Sequence, residues 1–154
     1  DEKKDLKPLL YAKDSFNLVI EKFPLTDFAI DSKYKLGLIN DLLAAKEMYI
    51  ARHYIKKEKW IAAINRLKVI VVDYDTTIYI EEALHRLVEI HYFIGLNDEA
   101  QKYANLLGYN FQSSEWYEKT YSVFNKKYEK NKKITKNKDK SNNKLIKKIK
   151  SLFE

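Results

Sequence analysis

Cysteine is absent from this 154-residue chain, and the residues that make turns are scarce. Without Cys there is no disulfide, no Cys-ligated zinc and no thiol nucleophile. Gly and Pro number 3 and 2, about 3% of the chain against a usual share of roughly 12%. That scarcity excludes an all-β protein with many turns. No run approaches the roughly 18 uninterrupted apolar residues of a membrane span.

The apolar content is high enough for a packed core. Leu, Ile, Val and Phe make up about 29% of the residues, above the roughly 20% below which charged chains stay unfolded. We therefore expect one domain built of helices. The chain opens at Asp1 with neither a start Met nor a signal peptide, so we expect it to be a fragment.

Positive charge is concentrated at the carboxyl end. Residues 125–154 hold twelve Lys against three acidic residues, a net +9, so the chain's total of +7 leaves −2 for residues 1–124. A nucleic-acid-binding fold needs a basic surface, and none is expected in the body. We predict no nucleic-acid partner.

Residues 125–154 are predicted to form a separate Lys-rich tail. Residues 126–143 are almost entirely polar and should be solvated. Residues 144–153 predict a short amphipathic helix, because an apolar residue recurs at Leu145, Ile146, Ile149, Leu152 and Phe153 with Lys between them. That helix would dock or touch anionic lipid; the alternative is a frayed, solvated end.

The spacing of apolar residues between Leu9 and Phe124 is helical throughout. It predicts helices over 9–22, 27–56, 59–74, 78–94, 98–108 and 114–130, and leaves open whether the second bends near 44–46. Oxygen acceptors for the helix starts are expected at Thr26 or Asp27, Thr77, Asn97, and Ser113 or Ser114. Gly95 and Gly108 are the predicted C-terminal stops, and Pro24 ends the first helix.

Two of the helical hairpins repeat a pattern of small and large residues. Ala63 and Ala100 stand thirty-seven positions apart, and large residues follow each of them, at Leu67 and Ile70 and at Leu106 and Leu107. The order resembles the tetratricopeptide pattern, although Asp75 and Gln112 replace the usual Pro. The resemblance implies an all-α domain over residues 7–124, with antiparallel helical hairpins stacked in a right-handed solenoid.

Longer stretches carry a more specific likeness. They are DLLAAKEMYIARHYI at 41–55, WIAAINRL at 60–67, VDYDTT at 72–77, EEAL at 81–84, LLGYN at 106–110 and SEWY at 114–117. Together they resemble the carboxyl half of the BamD family, the periplasmic lipoproteins of the outer-membrane β-barrel assembly machine. SEWY is similar to the alphaproteobacterial branch, and the likeness covers residues 7–124.

That likeness implies a function. Family members have five repeats behind a lipidated Cys, so the lipid anchor and the first repeats would be missing from this fragment. The family's carboxyl repeats hold the membrane-proximal POTRA domain of BamA at the periplasmic face of the outer membrane, with other lipoproteins of the machine as further partners. The resemblance thus implies a non-catalytic scaffold. The alternative is a generic tetratricopeptide adaptor that binds peptide tails in a concave groove.

Arg66 is the leading candidate for partner binding. The chain has three Arg beside twenty-six Lys, and a guanidinium can hold a carboxylate through two parallel hydrogen bonds. Its row is expected to point outward, opposite a buried row; the two rows are 62, 66, 69, 73 and 63, 67, 70, 74. The resemblance implies that Arg66 pairs with an acidic residue of BamA, assisted by Asn65 and Asp73. The alternative is a solvated Arg66; Arg52 and Arg86 are expected to be structural.

The three His residues do not predict a metal centre. Glu82 and His85 have the spacing of a di-iron pair, but no second pair exists. We expect His85 and His91 to form a half-buried pair, and His53 to be half-buried beside Tyr54 in the same way. No phosphate-binding or nucleophile motif occurs, so we predict no cofactor and no enzymatic activity.

Overall fold

The computed structural model describes residues 6–124, which fold into six α-helices without a strand in that range. The helices are α1 (Lys7–Lys22), α2 (Asp27–Lys56), α3 (Trp60–Asp73), α4 (Ile80–Phe93), α5 (Asn97–Asn110) and α6 (Glu115–Phe124). The predicted all-α class is confirmed. The predictions for residues 125–154, including the helix at 144–153 and the end of the sixth helix, lie outside the described residues.

Side chains cap two of the helices where the sequence predicted it. Thr26 Oγ1 accepts a hydrogen bond from the Ala29 N–H at 3.3 Å, and Ser114 Oγ accepts one from the Tyr117 N–H at 3.0 Å. Each bond satisfies a backbone donor that the first helical turn leaves without an internal partner.

The other two predicted caps are wrong. The Thr77 hydroxyl donates instead to the Tyr74 carbonyl at 2.7 Å, and α4 begins after Tyr79 with no side-chain cap. Asn97 is already the first residue of α5. The Thr77 segment adopts an alternative local pairing, because Thr can satisfy a backbone carbonyl in a turn as well as an N–H at a helix start.

The two glycines that were predicted to end helices behave differently. Gly95 follows the end of α4 with a φ of +84°, a left-handed conformation that Gly adopts at little cost, so this predicted stop is confirmed. Gly108 lies inside α5, so the second predicted stop is wrong. A Cβ there would sit 3.0 Å from the Tyr117 ring, which shows that Gly108 permits α6 to approach α5 closely.

Helix α2 is a single helix of 30 residues, which makes it about 45 Å long. Near its start, Lys35 Nζ lies 5.6 Å from the Phe16 ring centre on α1. Near its end, Met48 and Ala51 pack in one cluster with α3 residues. The helix therefore joins α1 to the first complete hairpin. Within the described part of the chain, no helix is both long enough and apolar enough to span a bilayer.

Helix α4 links the two main apolar clusters. Ala83, Leu87 and Ile90 pack with α2 and α3, while Ile80 and Leu84 pack with Leu107 of α5. The repeated alanines, Ala63 and Ala100, are both fully buried, in agreement with their matching places in the repeat. Leu106 is exposed, so of the two predicted large residues in α5 only Leu107 fills the core.

Replacing Ala63 with Leu should destabilise the first hairpin. Ala63 has no exposed surface, and three extra carbon atoms would have to displace neighbours in a packed interface between α2 and α3. We expect a loss of about 1–3 kcal/mol in the free energy of unfolding, measured by urea denaturation. The matched control is Ala62→Leu, one position along on a half-buried site; equal stability of Ala63→Leu and wild type would contradict the packing.

Candidate functional site

Arg66 reaches the surface of α3 and contacts α2. About 44% of its side chain is exposed, and Nη1 donates a hydrogen bond to Glu47 Oε2 at 3.2 Å. Asn65 and Asp73 are exposed on the same helix. Asp73 lies seven residues after Arg66, which places it two turns further along nearly the same face.

The sequence predicted that the row containing Arg66 lies opposite the buried face of α3. That prediction is wrong, because the row lies beside the buried face. Ala62 and Val69, which belong to this row, are half-buried. The reason is geometric: Arg66 precedes the buried Ile70 by four residues, so the two point only about 40° apart around the helix. Arg66 therefore borders α2, and this position explains its contact with Glu47.

The outermost face of α3 is partly apolar. Ile61 and Val72 are 66% and 76% exposed, and Asn65 and Lys68 lie exposed between them. These residues recur at intervals of four, three and four, so helical periodicity alone contained the signal. The sequence predicted a binding role for Arg66 on this helix and none for Ile61 or Val72.

Glu47 belongs to a group of polar side chains that also includes Tyr74, directly after the end of α3. Only 18% of the Glu47 side chain is exposed. Burial, and then the negative charges of Asp73 and Glu47, raise the pKa of the Tyr74 hydroxyl. Lys13 Nζ of α1 lies 5.2 Å from the centre of the Tyr74 ring. We call Lys13, Glu47, Arg66, Asp73 and Tyr74 the Arg66 cluster.

The Arg66 cluster combines a guanidinium, which can bind a carboxylate, with two carboxylates, an ammonium group and a phenol. Within the described residues, no group of three or more acidic or His side chains is placed to hold a metal ion. A partly exposed guanidinium on a rigid helix is instead suited to a carboxylate.

Arg52 and Arg86 are engaged in ion pairs around Glu82, as expected for structural residues. Glu82 is buried, and Arg52 contacts both of its carboxylate oxygens, with Nε 3.0 Å from Oε1 and Nη2 against Oε2. Arg86 Nε lies 3.5 Å from Glu82 Oε1. The Arg52–Glu82 contact joins α2 to α4, whereas the Arg86–Glu82 pair lies within α4.

The predicted half-buried pair of His residues is wrong, since both rings are buried and each has its own partners. His85 Nδ1 lies 2.8 Å from Thr120 Oγ1, and its ring packs 5.3 Å from Trp116. His91 Nδ1 donates to the Leu87 carbonyl at 2.7 Å. Residues six positions apart on a helix point about 120° away from each other, so the two rings enter different interfaces. His53 packs against Tyr54, with ring centres 6.1 Å apart, but it is exposed rather than half-buried as predicted.

Glu89 should make the stability of the domain depend on acid pH. Burial favours a higher pKa for Glu89, but hydrogen bonds and charge from His85 and Arg86 outweigh it and lower the pKa from 4.5 to about 2. The lowered pKa stabilises the fold above about pH 4.5, and that contribution disappears as the pH falls towards 2. The melting temperature of wild type should therefore be higher than that of Glu89→Gln at pH 6, and the difference should shrink by pH 3. A melting-temperature difference independent of pH would contradict this role.

A second surface feature is an apolar cavity of about 540 Å³ between the α2–α3 turn, α4 and the end of α6. Trp60 and Phe93 pack together on its wall with ring centres 5.0 Å apart and ring planes tilted by 52°, and Val123 also lines it. Phe93 is 71% exposed, so its ring presents apolar surface beside the cavity. The cavity could not be predicted from the sequence, because its lining comes from four separate segments.

Comparison with known proteins decides the family. The model of the YfiO family, described as an outer membrane lipoprotein, matches residues 1–106, which include the whole Arg66 cluster. The chain belongs to this family. Curated relatives are named outer membrane protein assembly factor BamD. The protein of Rickettsia prowazekii is 49% identical over 123 residues, 80% of this chain, and that of Caulobacter vibrioides is 43% identical over 107 residues, 70% of this chain.

The resemblance to the BamD family that the sequence indicated is thus confirmed. The chain spans 49% of the Rickettsia protein and 35% of the Caulobacter protein, about half of its curated relatives or less. A more distant relative from Neisseria gonorrhoeae is 35% identical over 89 residues. The YfiO family match places α1 to α4 and most of α5 within the shared domain.

Proposed function

We propose that this chain is a non-catalytic scaffold part of an outer-membrane β-barrel assembly machine, and that α3 docks the membrane-proximal POTRA domain of BamA. The observation that carries the proposal is the exposure of Arg66 beside a fully buried Leu67, so that a rigid helix presents a guanidinium to a partner. The family resemblance supplies the partner. In that family the Arg at this position pairs with an acidic residue of BamA.

The surroundings of Arg66 have the composition of a protein–protein contact. Arg is enriched among residues that dominate binding energy, and they are usually surrounded by contacts that exclude water. Ile61 and Val72 supply exposed apolar surface on the neighbouring face of α3. Asn65 and Asp73 supply polar groups at the same helix, and we assign them an assisting role.

The proposed location follows from the family. The YfiO family is described as an outer membrane lipoprotein, and the relatives are named assembly factors. We place the whole protein at the periplasmic face of the outer membrane, held by a lipid anchor, with other lipoproteins of the machine as additional partners. Contact between the Lys-rich tail and anionic lipid stays a prediction.

The experiment is a binding measurement between the full 154-residue chain and the soluble membrane-proximal POTRA domain of BamA. Isothermal titration calorimetry should show a saturable complex of the two proteins. A POTRA domain distant from the membrane, of similar size, serves as the control and should bind at least tenfold more weakly. No measurable heat with the membrane-proximal domain at high micromolar concentration would contradict the proposal.

The alternative function, capture of a peptide tail, has one observation in its favour. The apolar cavity beside Trp60 and Phe93 would accommodate a few apolar side chains of an extended peptide. Phe93→Ser would weaken the binding of such a peptide and leave the affinity of docking on α3 unchanged. The two functions are therefore separable by comparing Phe93→Ser with substitutions at Arg66 for the same partner.

A further inference from the structure

Glu47 is the residue with which the Arg66 side chain forms an ion pair. It lies on α2, whereas Arg66 lies on α3, so the ion pair crosses the interface of the hairpin. Only 18% of the Glu47 side chain is exposed, compared with 44% for Arg66. The carboxylate is thus the fixed member of the pair, and the guanidinium is the member that reaches solvent.

The contact occupies a limited part of the guanidinium. Arg presents five N–H donors in a planar fork, of which Nε carries one and each terminal nitrogen carries two. Glu47 Oε2 accepts from Nη1. The edge formed by Nε and Nη2 is the second edge at which a carboxylate can bind through two parallel hydrogen bonds. One guanidinium can therefore hold Glu47 and a partner carboxylate together.

We propose that Glu47 is a positioning residue for partner binding: it holds Nη1 of Arg66 so that the Nε–Nη2 edge is ready for a carboxylate of the docked protein. The inference rests on the proposed function, because it concerns the same docking face. A long, flexible side chain loses rotamer freedom when it is immobilised at an interface, and a side chain that is already held loses less. Glu47 thus makes the free protein resemble its bound form.

The opposite role would have a different signature. If Glu47 were a competitor for the guanidinium, its removal would free Arg66 and strengthen binding. If Glu47 served only to hold the hairpin together, its removal would lower the melting temperature without a specific change at the interface. Affinity, stability and the mobility of the Arg66 side chain must therefore be measured on the same variants.

The binding test uses the membrane-proximal POTRA domain of BamA with Glu47→Ala, Glu47→Gln, Arg66→Leu and the double variant Glu47→Ala/Arg66→Leu. Glu47→Ala should weaken binding by about twofold to tenfold, the equivalent of immobilising one long side chain. Glu47→Gln should recover most of the loss, because its amide oxygen still accepts from Nη1. The double variant should bind no more weakly than Arg66→Leu alone. Once the Arg66 side chain is absent, Glu47 has no guanidinium to hold, so its removal should cost no further affinity.

The matched control is Asp31→Ala, which removes another acidic member of an ion pair on α2. Asp31 accepts from Lys35 Nζ at 2.7 Å and lies sixteen residues before Glu47, about 24 Å along the helix. The affinity of the Asp31→Ala variant for the POTRA domain should equal that of wild type. Unchanged or tighter binding by Glu47→Ala, or additive losses in the double variant, would overturn the positioning role.

A measurement on the free chain separates this inference from the proposed function. Nuclear magnetic resonance of the Arg66 Nε–H group should show an ordered side chain in wild type, greater mobility in Glu47→Ala and intermediate order in Glu47→Gln. Equal mobility in all three proteins would overturn the positioning role whatever the partner. If Arg66→Leu bound the POTRA domain with wild-type affinity, the proposed interface on α3 would fail as well. If Arg66→Leu lost affinity and the Glu47 variants did not, only the positioning role of Glu47 would be rejected.

Discussion

Replacing Leu67 with Ala should lower the free energy of unfolding by about 2–5 kcal/mol, the range for deleting a fully buried Leu side chain. Leu67 has no exposed surface and belongs to the cluster in which α2, α3 and α4 meet, with Met48 and Leu87 among its members. The cavity left by the missing carbon atoms would face three helices, each held by other contacts. We therefore expect little collapse and a cost towards the upper end of the range.

Urea denaturation of Leu67→Ala and wild type measures this loss. The matched control is Lys68→Ala, the next residue on the same helix, which is exposed and should change stability by no more than about 0.5 kcal/mol. If Leu67→Ala unfolded at the same urea concentration as wild type, the register of α3 against α2 and α4 would be wrong.

Replacing Arg66 with Leu should weaken docking to the membrane-proximal POTRA domain by at least tenfold. Removal of one member of a desolvated charge pair costs on the order of 2–5 kcal/mol, much of it because the other charge is left without a partner. Each 1.4 kcal/mol corresponds to about tenfold in affinity. Arg66→Lys should recover only part of the loss, because an ammonium group cannot form two parallel hydrogen bonds to one carboxylate.

The same substitution also leaves Glu47 without its ion-pair partner inside the protein. Because Glu47 is mostly buried, we expect Arg66→Leu to cost up to about 1 kcal/mol of stability, more than an ordinary surface substitution. Glu47→Gln/Arg66→Leu removes the unpaired charge and serves as the control for folding. Both variants should remain helical by circular dichroism, and wild-type affinity in either of them would contradict docking through Arg66.

Apolar periodicity was sufficient to predict the helices of this chain. All six predicted helices are present, and the bounds of α2 agree at both ends. The reason is that α2 to α5 each bury apolar residues at helical spacing, so the 3.6-residue period is visible in the sequence. The equivalence of Ala63 and Ala100 was also predictable, because close helix contacts require small residues at matching places of a repeat.

Contacts between distant parts of the chain could not be predicted in the same way. The Gly108 error arose because Gly serves both to end a helix and to admit a neighbouring helix, and only the position of Tyr117 distinguishes the two. The partner of Arg66 was missed for a similar reason. Glu47 precedes it by nineteen residues, and their meeting depends on how α2 and α3 are rotated against each other.

Site-specific photo-crosslinking tests the central claim most directly. A photoreactive side chain is placed at Asn65 in one variant and at Phe93 in another, so that one lies beside Arg66 on α3 and the other lies at the apolar cavity. Each variant is irradiated with the membrane-proximal POTRA domain of BamA. Docking through α3 predicts a covalent product from position 65 that is lost when Arg66→Leu is added. A product from position 93 alone, unaffected by Arg66→Leu, would contradict it.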